Sequence, residues 1–247
     1  MPVLSPRGLV SYMSPLDSAA TSTDAATSLV PWTLPSRPRL RGRIHFYALI
    51  GAVIPGATLV AVAGATVSGI AAGATAVYVV CVLGLFGASA AYHRGRWTSA
   101  RSQELARRAD HAMIFLLIAG TYTPLTLLAM PSVLGLVLLG VAWVGAIGGV
   151  TLIVLHPRGT QRFVIPLYLA LGWVAVFALP DLLVRTGVTA LALIVAGGLI
   201  YTAGAIGFAV GRPRGRPETF GYHEFFHVAT VVAATCHYVA TWFMLYS

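Results

Sequence analysis

From residue 45 onward the chain alternates long apolar stretches with short polar junctions, without the period-two alternation of a half-buried strand. The apolar runs cover roughly residues 45–66, 70–93, 111–130, 132–155, 163–181, 187–210 and 222–246. Each comes close to the ~20 residues that a helix needs to cross the hydrocarbon core of a bilayer. Within hydrocarbon only a helix or a closed barrel satisfies every backbone N–H and C=O. Barrel strands alternate lipid-facing and lumen-facing positions in segments of about ten, and these runs are continuously apolar, so the pattern excludes a barrel. It predicts an all-α, polytopic membrane protein with seven transmembrane helices spanning residues 41–247. Residues 1–40, rich in Ser, Thr, Ala and Pro and lacking an apolar period, are expected to be a disordered cytoplasmic tail.

Composition agrees: 57% of the 247 residues are hydrophobic and 9% are charged, and the mean hydropathy is +0.82. A protein of this kind resides in the cell membrane as a multi-pass chain. The basic residues, all Arg, set its orientation. Arg7, Arg37, Arg39, Arg41 and Arg43 precede the first run; Arg94, Arg96, Arg101, Arg107 and Arg108 separate the second from the third. Arg158 and Arg162 follow the fourth, and Arg212, Arg214 and Arg216 follow the sixth, leaving Arg185 alone at the other side. The positive-inside rule then predicts a cytoplasmic N-terminus and, after seven crossings, an external C-terminus. Arg clusters at membrane borders are explained by topology and anionic headgroups, so the formal charge of +9 points to membrane lipids as partners and not to nucleic acid. The N-terminal stretch has no short apolar core with a small-residue cleavage site, and the first run is expected to stay as an anchor. Cys81 and Cys236 fall inside predicted spans and are expected to be free thiols.

Polar side chains are expensive inside a bilayer, and the few here gather at one side. The stretch GYHEFFHV, residues 221–228, places His223, Glu224 and His227 in the spacing H-E-x-x-H, which on a helix is the zinc signature of many metalloproteases. The two imidazoles lie one helical turn apart and project from one face. His93 ends the second predicted span on the same side of the membrane and supplies a third nitrogen. The competing reading makes the pair interfacial histidines with their tips among headgroups. Ser89 lies one turn before His93 and faces the same way, either toward the site or as a small residue at a helix contact. Asp110 opens the third span, either as a site carboxylate or as an acidic residue favoured by the helix dipole beside Arg107 and Arg108. His45, His111, His156 and His237 are left outside the metal shell: His45 and His156 flank loops, His111 points elsewhere around its helix, and His237 is some 15 Å deeper.

Three blocks, SAAYH (89–93), RRADHAMIFLLIAGTYTPL (107–125) and YHEFFHVATVVAATCHY (222–238), together resemble the hemolysin III family, the bacterial branch of the progestin and adipoQ receptor (PAQR) membrane proteins. The resemblance covers essentially residues 41–247. It implies a seven-helix fold and a zinc ion near the cytoplasmic face, with His93, His223 and His227 as ligands. It also implies that Ser89 and a loop aspartate, Asp110, hold or polarise the zinc-bound water. The long N-terminal tail departs from the family. A protease reading is disfavoured, because the resemblance does not require Glu224 and Asp181 lies at the opposite side of the membrane.

Three neutral imidazoles leave a zinc ion its double charge, enough to activate water and polarise a carbonyl. The expected activity is therefore hydrolysis of an amide or ester bond in a lipid-like substrate that enters from the membrane. The alternative is a non-enzymatic membrane sensor, receptor-like or permeability-modulating protein in which zinc is a structural clamp. The family name adds pore-forming lysis, which fits a resident seven-helix chain poorly.

Overall fold

The computed structural model describes residues 38–156, 161–216 and 218–247. Residues 1–37 of the expected tail lie outside them, as does Arg158. Among the described residues the regular elements are all helical: α1 (Arg43–Thr66), α2 (Gly69–Arg94), α3 (Ala100–Ala129), α4 (Val133–Leu155), α5 (Gln161–Trp173), a 3₁₀ stretch (Val174–Ala178), α6 (Leu179–Val210) and α7 (Tyr222–Leu245). Among the described residues six stretches are long and apolar enough to cross a membrane, and one of them, Phe163–Val210, is 48 residues long.

That long stretch turns back on itself. Trp173 Nε1 donates to Thr202 Oγ1 at 3.0 Å. On a straight helix these residues would stand about 40 Å apart. Gly187 lies midway between them and has φ 78°, ψ 174°, a left-handed-side conformation that breaks the helix and that glycine adopts without strain. The stretch thus folds into two arms, one on each side of Gly187, each long enough to cross a bilayer. The two runs predicted at 163–181 and 187–210 meet at this residue.

Local chemistry sets the other boundaries. Ser68, Ser99 and Ser132 cap α2, α3 and α4 by accepting from the main-chain N–H of Ala71, Ser102 and Gly135. At α3 the cap lies well upstream of the apolar run, so the helix starts at Ala100 and not near residue 111. Its polar first turns are held by Glu104, which accepts from Arg107 Nη2 at 2.7 Å and Arg108 Nε at 3.0 Å.

Consecutive helices α1 to α4 pack side by side, α6 packs along α7, and α7 also meets α1, α2 and α3 to close the bundle. Between helices in lipid, association comes from close packing and hydrogen bonds more than from apolar transfer. Tyr78 Oη donates to the Ala234 carbonyl at 3.0 Å, joining α2 to α7. Tyr122 Oη donates to the Leu171 carbonyl at 3.0 Å, joining α3 to α5. One apolar core lies among α3 to α7, around Phe115, Leu138 and Leu182. A second lies among α1, α2 and α7, around Leu59, Tyr78 and Phe86. Cys81 and Cys236 are free thiols.

Candidate metal centre

The site is built where α1, α2, α3 and α7 meet, at the end of the bundle that carries most of the Arg residues. The start of α7 is fixed by Glu224, whose Oε2 accepts from the Gly221 N–H at 2.9 Å while Oε1 accepts from Arg41 Nε at 2.5 Å. A main-chain bond from Arg39 N–H to the Glu218 carbonyl, 2.9 Å, ties the same two segments together. Gly42, at φ 73°, packs against the last turn of α2, and a Cβ there would stand 2.7 Å from His93 Cβ. Glycine thus serves both the turn and the close approach that seats His93.

His93, His223 and His227 converge, with one donor atom from each lying within 4.8 Å of the others. His223 Nε2 and His93 Nε2 are 3.1 Å apart. The His93 ring meets His223 edge-on at 4.7 Å between centroids and His227 at 5.1 Å. Zinc–nitrogen bonds of about 2.0–2.1 Å place tetrahedral ligand atoms roughly 3.3 Å apart. The His93–His223 pair meets that separation as it stands, and His227 completes the cluster within 4.8 Å. Imidazole nitrogens suit zinc, copper, iron and nickel alike, so the donor set fits a divalent transition metal. His227 and His93 are buried, and His223 is half-buried.

Asp110 and Ser89 stand beside this triad. Asp110 Oδ2 is 3.7 Å from His93 Nε2 and 3.9 Å from His111 Nδ1. Ser89, on a buried side chain, lines the same cavity as Asp110. Ser89, Asp110, His111, His223 and His227 line one cavity of about 160 Å³. Tyr168 Oη donates to the His111 carbonyl at 2.7 Å and braces the Asp110–His111 turn from α5. The cavity shares a wall, including Leu85, Ile114, Ala205 and Phe226, with a second, apolar cavity of about 180 Å³ between α3, α5 and α6.

The sequence pattern puts Asp110 in a loop or at a helix start; it lies inside α3, because the serine cap moves the start to Ala100. Its neighbours are therefore side chains of the site and not the free N–H groups of a helix end. Glu224 is 1% exposed and fully engaged by Arg41 and Gly221, so its carboxylate is a fastener of α7 and not a base facing the triad. His237 Nε2 donates to the Ile194 carbonyl at 3.2 Å, away from the triad, and His156 follows α4 as its C-cap residue. His45, which by sequence only flanks a loop, sits in the first turn of α1. It is 2% exposed, with its ring stacked on His227 at 4.0 Å between centroids. The signal that could have found it is its depth: it opens the first apolar run on the same side of the membrane as the three other histidines.

Fold and site together define a polytopic helical membrane protein with three clustered histidines that can hold a metal ion. A family model described as haemolysin-III related matches residues 34–238, and the chain belongs to that family. It is similar to Hemolysin-3 of Bacillus cereus, 37% identical over 99 residues that make up 40% of this chain and 45% of that protein. It is also similar to the Hemolysin-3 homolog of Bacillus subtilis (strain 168), 31% identical over 112 residues, 44% of this chain and 51% of that one. The chain spans about half the length of these curated relatives in the matched region.

Proposed function

We propose that the protein is a zinc-dependent hydrolase of lipid-like amides or esters, working at the cytoplasmic side of the cell membrane and affecting membrane homeostasis. One observation carries the reading: of the three clustered histidines, His223 and His227 line a cavity, together with Asp110 and Ser89, whose wall is shared with a larger apolar cavity. A polar reaction centre beside an apolar recess fits a substrate with a scissile carbonyl and a hydrocarbon chain. His93, His223 and His227 would hold the metal. When bound, zinc lowers the pKa of a coordinated water toward ~7 and polarises a carbonyl.

The chain's own residues do the rest. Asp110 accepts a hydrogen bond from the attacking water, orients it and takes up its proton, and Ser89 keeps the carboxylate turned toward the triad. Arg41 and Glu224 hold the first turn of α7 so that His223 and His227 present their nitrogens together. The apolar cavity takes the chain and keeps bulk water from the carbonyl.

The test is metal analysis of the purified protein together with turnover of a panel of ceramides, acyl amides and acyl esters. About one zinc per chain with turnover of at least one class supports the reading. Bound zinc with no turnover across the panel would overturn hydrolysis in favour of a zinc-stabilised sensor or permeability-modulating protein.

A further inference from the structure

His45 is a buried imidazole whose two ring nitrogens, Nδ1 and Nε2, both lack a hydrogen-bond partner of good geometry. Buried polar atoms in folded proteins are nearly always satisfied, and the His227 main chain beside the ring can serve only one nitrogen, which leaves the other for a partner that the chain does not supply. The position of the ring says where that partner lies. His45 stacks on His227 with 19° between the planes, is flanked by Phe86 at 5.2 Å, and lines the cavity that Ser89 and Asp110 also line.

Packing alone does not explain a histidine here, because Phe would back His227 with a flat, slightly larger ring and no desolvated nitrogen. Nor does His45 belong to the donor cluster, which comprises His93, His223 and His227. A half-turn about χ2 exchanges each ring nitrogen with a ring carbon and leaves the stack in place. The ring can therefore turn a nitrogen toward the cavity without moving His227. The ties between the Arg39–Arg41 segment and the start of α7 fix the backbone that carries this ring.

We propose that His45 is a ligand-recognition residue of this centre, donating or accepting the hydrogen bond that holds the polar head group of a lipid-like ligand beside His93, His223 and His227. It adds to the triad a contact that selects ligands with a hydrogen-bonding head over a bare hydrocarbon. This role rests on the zinc-hydrolase reading.

The probe is lauroyl hydroxamic acid, a zinc-binding head group on a saturated chain, titrated into the full-length zinc-loaded protein in detergent or nanodiscs. His45→Phe keeps an aromatic ring stacked on His227 but removes both nitrogens. It should retain about one zinc and the wild-type melting temperature while binding the hydroxamate roughly tenfold more weakly. His45→Gln, which restores a hydrogen-bonding side chain, should recover much of that loss. Should His45→Phe not fold, His45→Leu makes the same comparison. Unchanged hydroxamate affinity in the apolar variant would overturn the proposal while leaving the zinc reading intact. Loss of zinc from His45→Phe would also overturn it, by making His45 a ligand. A wild-type protein that binds no zinc would sink the hydrolase reading first, and this proposal with it.

Discussion

The two halves of α7 sit in contrasting surroundings. Its first turns are fastened from several directions: Glu224 to Arg41 and Gly221, Arg39 to Glu218, and Gly42 against His93. Its second half faces α6 and the apolar cavity, where α5 gives way to a 3₁₀ stretch and Gly187 breaks the helix. Single polar contacts between membrane helices are worth on average about 0.6 kcal/mol. No one contact fixes the polar end; several from different helices do so together. A polar end fastened by several contacts is thus joined to an apolar end with a cavity, the division that the proposed hydrolysis of lipid-like substrates needs.

The largest effect should come from breaking the rigid end at its centre. Replacing His223 or His227 by Ala removes one of three nitrogens and should take zinc content from about one per chain to near zero. His93→Ala should do the same, and full zinc retention in that variant would remove α2 from the centre. Metal analysis after size exclusion reads all three.

Asp110→Asn separates metal binding from chemistry. The amide keeps the size of the carboxylate but cannot take up a proton, so zinc should stay while turnover falls by roughly 10²-fold or more. Equal rates for the two proteins in the lipid assay would cancel the role given to Asp110.

Much of this architecture is legible in the sequence because bilayer physics is so restrictive. Continuously apolar runs allow only helices, and the one-turn spacing of His223 and His227 is enough to put both rings on one face. What the pattern misses is polar helix continued beyond the membrane. Residues 100–110 carry no apolar run, and only the capping serine and the Glu104–Arg108 network show that Asp110 is inside α3. His45 escapes for a related reason. Its value comes from stacking across helices, and spacing along one helix carries no signal of that. Glu224 misleads in the opposite direction: the H-E-x-x-H spacing reproduces a protease motif, while the side chain is consumed by Arg41 and Gly221.

A smaller effect is expected from the fastening itself. Glu224→Gln keeps an acceptor for the Gly221 N–H but removes the charge that holds Arg41, and it leaves all three histidines in place. Zinc affinity should weaken by about tenfold, the lower range for partners that orient metal ligands, with stoichiometry still near one at saturating metal. A competition titration with a chromophoric chelator measures this, and unchanged affinity would show that the Arg41 contact is dispensable for the triad.

The smallest effect tests the accommodating end. Gly198 lies on α6 in the wall of the apolar cavity, and a Cβ added there would meet nothing within 4 Å. Gly198→Leu should therefore fold, and the leucine gains helix propensity over glycine. Its side chain would project into the space assigned to the hydrocarbon chain. Turnover of the longest acyl substrates should fall several-fold relative to short ones, because each methylene that no longer enters the cavity forfeits about 0.8 kcal/mol of burial. Zinc content should not change, since the substitution is remote from the three nitrogens and from the Arg41–Glu224 pair. A variant that cuts short-chain and long-chain turnover equally would mean that the cavity does not measure the chain. One that also loses zinc would mean that the two halves of α7 are mechanically coupled, and that the division between a rigid reaction end and a yielding chain end is wrong.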